Sequence, residues 1–123
     1  MVKLFTWNAR GLGRPLKRRL LRDYLISHSI DIIGILETKK ESFTERTLNS
    51  LSSSITKWIQ LPSSGLSGGI LVGYDESKFV VLNSWIGEFS ISIHFQNKID
   101  HFVWIYSCVY GPVLSSKRSA FFF

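Results

Sequence analysis

The segment from Asp31 to Glu37 (DIIGILE) constrains the fold of this chain more than any other. This apolar run is far shorter than the ~20 residues of a membrane span and is typical of a strand that is covered on both faces. A short strand, Val2 to Trp7, precedes it, and Pro15 between them suits the first turn of a helix. Strand, helix and strand in this order predict a right-handed crossover with parallel strands.

Two helices are expected in the first half of the chain. The first begins at Pro15 and should end near Ser29, because apolar residues recur at helical spacing with the cations on the other side. These apolar residues are Leu16, Leu20, Leu21, Tyr24 and Leu25. The second helix is predicted over Thr44 to Ser54. Its start resembles a capping box, with Ser42 as the cap and Glu45 three residues later.

From residue 57 onward the pattern changes to strands separated by short turns. The predicted strands are Lys57 to Leu61, Gly69 to Tyr74, Phe79 to Trp85, Glu88 to Gln96 and His101 to Val109. The fourth alternates cleanly, with Phe89, Ile91, Ile93 and Phe95 on one face. The fifth is apolar on both faces, which predicts an interior strand. The expected fold class is α/β or α+β: one βαβ unit followed by an antiparallel meander, in one domain spanning residues 1–123.

Composition supports a globular chain and excludes several classes of protein. The chain has 123 residues, 45% of them hydrophobic and 20% charged, which argues against intrinsic disorder. A single cysteine, Cys108, excludes an internal disulfide and a cysteine-rich zinc site. Arg10 and Arg14 interrupt the N-terminus before any apolar stretch develops, so it does not predict a signal peptide.

Positive charge is concentrated near the start of the chain. The net charge is 15 − 9 = +6, and the first 22 residues hold seven cations and no acid. These are Lys3, Arg10, Arg14, Lys17, Arg18, Arg19 and Arg22. Such a field attracts polyanions, including the phosphates of nucleic acid. Around Lys17 to Arg22 a solvated helix face is an equally good interpretation.

Two polar residues follow the predicted parallel strands at the edge where sites gather in such units. Glu37 closes the second strand: it is either a solvated strand end paired with Lys39 or Lys40, or a ligand of Mg²⁺, which prefers one or two carboxylates and retains waters. Asn8 follows the first strand: it is either a turn residue or an amide that orients a phosphate or a metal-bound water. The crossover predicts that the two meet in space.

The last strand ends at Tyr110, Gly111 and Pro112. Glycine and proline explain a turn there, but the Tyr110 hydroxyl could also donate to a phosphate oxygen at the same edge. The three histidines are poor candidates for a general base. Cys108 lies inside an apolar strand and is predicted to be part of the core.

These motifs together resemble the endonuclease/exonuclease/phosphatase family. They are Trp7 to Gly13 (WNARGLG), Ile35 to Lys39 (ILETK), Gly68 to Ile70 (GGI) and Val109 to Pro112 (VYGP), in the family's order and approximate spacing. The sequences of these motifs are most similar to those of the apurinic-endonuclease-like domain of plant LINE-type (non-LTR) retrotransposon polyproteins. The resemblance covers essentially this whole chain but about the first half of the family's domain.

The resemblance implies a four-layer α/β sandwich of the DNase I type and Mg²⁺-dependent phosphodiester hydrolysis that nicks DNA, with Mn²⁺ as a possible substitute. Glu37 matches the family's metal-binding glutamate, Asn8 the asparagine that helps organise the metal and phosphate, and Tyr110 the tyrosine that contacts the phosphate. Arg118 and Phe121 resemble the start of the following helix. The implied nucleic-acid contacts are Arg10, Arg14, Lys17, Arg18, Arg19 and Lys39. Nuclear residence and a DNA partner are implied in the same way.

The family's later Gly-Asp-x-Asn and Ser-Asp-His segments are not found in these 123 residues. General acid–base catalysis contributes roughly 10²–10⁴-fold, so we expect weak Mg²⁺ binding and little hydrolysis from this chain. Exposed apolar surface that favours aggregation is also expected. The alternatives are a basic nucleic-acid-binding fragment without catalysis and an unstable remnant.

Overall fold

The computed structural model describes residues 2–40, 42–52, 54–63 and 68–111. Two helices and seven strands lie in this part of the chain. They are β1 (Leu4–Asn8), α1 (Pro15–His28), β2 (Ile32–Leu36), α2 (Glu45–Leu51), β3 (Lys57–Leu61), β4 (Ile70–Tyr74), β5 (Phe79–Ile86), β6 (Ser90–Asn97) and β7 (Val103–Val109). The predicted features at Pro112, Arg118 and Phe121 lie outside the described residues.

The predicted parallel crossover is confirmed. β1 and β2 run parallel, with Leu4 opposite Ile32 and Asn8 opposite Leu36. Helix α1 begins at Pro15 and is terminated by Ser29, which adopts the left-handed conformation common at helix C-termini. Its leucines divide between two environments. Leu21 and Leu25 are buried, whereas Leu16 and Leu20 are exposed.

The second helix starts within one residue of its predicted position, but its predicted cap was wrong. Thr44, not Ser42, is the N-cap, and its hydroxyl accepts the backbone N–H of Thr47 at 3.2 Å. A threonine at this position satisfies one free N–H of the first turn without any glutamate, so no capping box is needed. The helix ends at Leu51, because the Ser52 hydroxyl accepts the next free N–H groups, including that of Ile55 at 3.1 Å.

The strands form two sheets, as the resemblance implied. β3 and β4 extend the first sheet in the order β1-β2-β4-β3, with β4 antiparallel to both neighbours. Only β5, β6 and β7 form an antiparallel meander, which is the second sheet. Within the described residues β6 is the central strand of that sheet and β7 is an outer strand, so the prediction of an interior β7 was wrong.

Two apolar clusters define three layers. One cluster packs α1 and α2 against the first sheet and includes Leu25, Leu51 and Ile35. The other fills the space between the two sheets and is centred on Phe95, whose ring lies 5.2 Å from that of Phe79. The protein is therefore a mixed α/β fold with a helix layer and two packed sheets. No helix among the described residues is long and apolar enough to cross a membrane.

Contacts between the sheets fix their relative direction. At the start of β2, the buried Asp31 carboxylate accepts a hydrogen bond from Lys78, next to the first residue of β5. Midway along, the Tyr106 hydroxyl of β7 lies against Gly34 and hydrogen-bonds Thr6 of β1. Since the ring of Trp104 contacts Phe79 near the Asp31 end, β7 runs in the same direction as β1 and β2.

Candidate active site

The carboxyl edge of the first sheet is built from three loops. The loop after β1 turns sharply, because Arg10 and Gly11 both have positive φ, +49° and +98°. The Asn8 side-chain oxygen accepts the backbone N–H of Arg10 at 3.2 Å. Asn8 is therefore a turn residue, as one interpretation of the sequence predicted, and its side chain stays exposed at the edge.

The loop after β2 lies against both of the other loops. Its carbonyls at Leu36, Glu37 and Thr38 accept N–H groups of the first loop at 2.8–2.9 Å. The third loop is the one that precedes β4. The N–H groups of Thr38 and Lys39 donate to the carbonyls of Gly69 and Gly68 in it. These hydrogen bonds bring Asn8 and Glu37 to neighbouring positions, as the parallel crossover predicted.

The third loop requires glycine where it meets the second. Gly69 has a φ of +91°, and a Cβ on it would lie 2.2 Å from the Thr38 hydroxyl oxygen. Thr38 itself is buried. Sequence analysis identified Gly68, Gly69 and Thr38 as parts of motifs but missed their role, which is to hold the backbone directly after Glu37.

Glu37 presents the carboxylate of this edge. Its φ is +55°, a conformation that costs energy for any residue other than glycine and that clusters at functional positions. Its side chain is 20% exposed and lies 3.4 Å from the Lys39 ammonium, whose side chain is 41% exposed. The lysine end of this ion pair is open to solvent, where such pairs contribute little, so a divalent cation could replace Lys39 here.

The donor set fits one mode of Mg²⁺ binding. Glu37 offers a carboxylate and Asn8 an amide oxygen, and Mg²⁺ is commonly held by one or two carboxylates while it keeps several waters. Among the described residues no group of three or more His, Cys, Asp or Glu side chains gathers as a metal site. Glu37 would therefore be the principal protein ligand at this edge.

Tyr110 leaves β7 at the same end of the molecule. β7 runs in the same direction as β1 and β2, so Tyr110, which follows its last residue, lies at the end of the second sheet nearer to Asn8 and Glu37. The ring of Tyr110 packs against the core between the sheets. The backbone N–H of Tyr110 donates to the Phe89 carbonyl at 2.9 Å. Cys108, two residues earlier, is buried as predicted, and burial raises the pKa of its thiol.

The structure divides the predicted basic contacts into two groups. Arg10, Arg14 and Arg19 are exposed near the edge, and their contact with nucleic acid stays a prediction. Lys17, Arg18 and Lys39 are engaged within the chain. Lys17 and Arg18 donate to backbone carbonyls of the first loop, and Lys39 pairs with Glu37. Sequence spacing alone could not separate the two groups, because the difference depends on the path of the loop.

Comparison with known proteins decides the family. The model of the Endonuclease/Exonuclease/phosphatase family matches residues 5–119. The chain belongs to this family. No curated protein sequence matches it significantly.

Solved structures share the fold of this family member at low sequence identity. A mannosyl-6-phosphatase from Bacteroides thetaiotaomicron has a TM-score of 0.68 at 14% identity, over 99% of this chain and 57% of that one. An AP endonuclease from Leishmania major has a TM-score of 0.69 at 16% identity, over 95% and 43%. A 3′ phosphatase from Neisseria, bound to a product DNA hairpin, has a TM-score of 0.57 at 15% identity, over 80% and 41%. The chain thus spans about half the length of the solved structures it matches.

Proposed function

We propose that the edge formed by Asn8, Glu37 and Tyr110 is a phosphodiester-hydrolase site that acts on DNA with Mg²⁺. The observation that carries this proposal is the partly buried Glu37 carboxylate, held by three interlocked loops in a chain of the endonuclease/exonuclease/phosphatase family. Family relatives of similar fold include AP endonucleases and a DNA-bound 3′ phosphatase. A mannosyl-6-phosphatase shares the fold as well, so the choice of a nucleic-acid phosphate rests on the exposed arginines near this edge.

Each residue has a distinct task in this proposal. Glu37 holds the cation, and Asn8 orients the phosphate or a water beside it. The Tyr110 hydroxyl donates a hydrogen bond to a phosphate oxygen. Mg²⁺, when bound, neutralises charge on the phosphate. Arg10 and Arg14, which are exposed on the first loop and at its end, attract the backbone of the substrate.

More specifically, we propose a DNA-nicking enzyme of the retrotransposon type. The sequences of the WNARGLG and VYGP motifs support this proposal. The matched motifs supply a single carboxylate and no general acid–base pair, so we expect slow hydrolysis from the 123 residues alone. Nuclear residence belongs to the same proposal.

The test combines cation binding with nicking of supercoiled plasmid. Glu37→Ala should weaken Mn²⁺ binding and abolish any Mg²⁺-dependent nicking. Glu76→Ala is a matched control, because it removes a glutamate that is also paired with a lysine, Lys57, at 3.8 Å. It should leave both measurements unchanged. Equal Mn²⁺ binding by Glu37→Ala and wild type would contradict the proposal.

A second candidate function is DNA binding without catalysis. The exposed arginines of α1 favour it, since they need no metal to contact phosphates. Binding that is unaffected by Mg²⁺ and by Glu37→Ala, with no nicking, would support this function over hydrolysis.

A further inference from the structure

Five consecutive carbonyls in the loop after β1 accept hydrogen bonds from two cations of α1. The Lys17 ammonium donates to the carbonyls of Ala9, Arg10 and Gly11. The Arg18 guanidinium donates to those of Leu12, at 3.1 Å, and Gly13, at 2.7 Å. A lysine has three N–H donors, and all three have an acceptor here.

The N–H groups of the same loop point the other way. Those of Ala9, Gly11 and Leu12 donate to the carbonyls of residues 36, 37 and 38, at 2.9, 2.8 and 2.9 Å. The loop is therefore held from two sides, by the cations of α1 through its carbonyls and by the Glu37 loop through its N–H groups. The position of Asn8 relative to Glu37 depends on both sets of bonds.

The location of the two cations is unfavourable for the helix itself. Lys17 and Arg18 lie at the start of α1, where the helix dipole disfavours positive charge, and the first turn contains no acid. The carbonyl contacts offset this cost. They also engage all three donors of Lys17 and the Nη1 group of Arg18, which would otherwise be available to phosphate.

We propose that Lys17 and Arg18 are positioning residues that hold the Asn8 loop against the Glu37 loop, and that Lys17 is not a phosphate contact. The inference deepens the proposed function, on which its effect on cation binding rests, by naming what fixes the geometry of that site. We call the hydrogen bonds from Lys17 and Arg18 to the carbonyls of residues 9–13 the clamp. The clamp is a property of the fold and can be measured without activity.

The sign of one effect separates positioning from simple electrostatics. Removal of a positive charge near Glu37 should strengthen binding of a divalent cation there if charge alone matters. Loss of a positioning contact should weaken cation binding, since mutation of residues that orient metal ligands typically lowers metal affinity by 10–100-fold. Lys17→Met is the variant for which the two ideas predict opposite results.

The experiment is a Mn²⁺ titration of the full chain by calorimetry. We expect about 10-fold weaker binding in Lys17→Met and a smaller loss in Arg18→Met, which removes two carbonyl contacts instead of three. Arg22→Met controls for charge on the same helix and should bind no more weakly than wild type. Lys78→Met controls for lost stability, because it breaks the Asp31 pair at the opposite edge. Unchanged or stronger Mn²⁺ binding in Lys17→Met would overturn the proposal.

Amide hydrogen exchange tests the clamp independently of any metal. The amides of Gly11 and Leu12 should exchange faster in Lys17→Met than in Lys78→Met, after correction for global stability. If wild type binds no Mn²⁺, the proposed function fails while this measurement still decides the clamp. Equal exchange at Gly11 and Leu12 in the two variants would refute it. Arg18→Met gives the same readout should Lys17→Met not fold.

Discussion

Gly34 lies where the second sheet packs directly against the first. A Cβ on this residue would be 2.4 Å from the Tyr106 hydroxyl oxygen and 2.7 Å from the Cys108 sulfur. Gly34→Ala should therefore lower the free energy of unfolding by about 1–3 kcal/mol, the usual cost of an extra methyl group in a packed core. Urea denaturation measures this change.

Gly13→Ala is the matched control, because nothing lies within 4 Å of its added methyl group. It should change the free energy of unfolding by much less than Gly34→Ala. The added cost of Gly34→Ala should also be smaller in a Tyr106→Phe background, which lacks one of the two clashing atoms. Equal destabilisation by the two alanine variants would mean that the sheets do not pack as described.

At the scale of elements, sequence patterns predicted what local periodicity controls. The apolar run of β2, the helix after Pro15 and the alternation of β6 were each recovered within about two residues, and the parallel crossover placed Asn8 beside Glu37. The position of β7 in its sheet was not recovered. Its outward residues Val103 and Ile105 are apolar yet exposed, so periodicity cannot distinguish an outer strand from an inner one.

The role of Lys17 was beyond sequence reasoning for a different reason. Its acceptors are backbone carbonyls, which no residue type reveals, and they converge only because Arg10 and Gly11 adopt positive φ. The same holds for Gly69, whose need for glycine depends on Thr38 of another loop. Contacts made through the backbone are thus the part of this site that composition and spacing do not encode.

The interface between the two sheets also predicts how stability depends on pH. Burial raises the pKa of Tyr106 and of Cys108, and the hydrogen bond to Asp31 raises the pKa of Lys78. The folded chain therefore keeps these protons to higher pH than the unfolded chain. The associated stability is complete below the unfolded pKa values and is lost as the pH rises past them, from about 8.5 for cysteine and about 10 for tyrosine.

We accordingly expect the Tm to fall progressively between about pH 8.5 and pH 11. Cys108→Ala should move the start of this decline toward about pH 10, because the group with the lowest unfolded pKa is removed. Thermal melts followed by circular dichroism at a series of pH values test this. A Tm that stays constant over the range would show that these groups are not buried together.

At the scale of the whole molecule, the basic surface is smaller than the count of cations suggests. Lys17 directs all its donors, and Arg18 its Nη1 group, at the protein, and Lys39 faces Glu37, whereas Arg14 and Arg19 remain exposed. The positive charge of Lys17 and Arg18 still adds to the field around the edge. We nevertheless expect the exposed arginines, Arg14 and Arg19, to make the direct contacts with a polyanion.

This division predicts the salt dependence of DNA binding. Each lost phosphate contact should reduce the slope of log K against log salt by about 0.9. Arg14→Ala combined with Arg19→Ala should therefore reduce the slope by about 1.8 and weaken binding to all sequences alike. Fluorescence anisotropy with a labelled duplex at several salt concentrations provides both quantities.

The control for this pair is Lys57→Ala combined with Lys98→Ala, which removes the same charge from the opposite edge. Lys57 pairs with Glu76, and Lys98 donates to the Glu76 carbonyl at 2.8 Å. A nonspecific effect of net charge would weaken DNA binding equally in both double variants. A reduced slope for the arginine pair alone places the phosphate backbone along the exposed side of α1, directly beside the loops that carry Asn8 and Glu37.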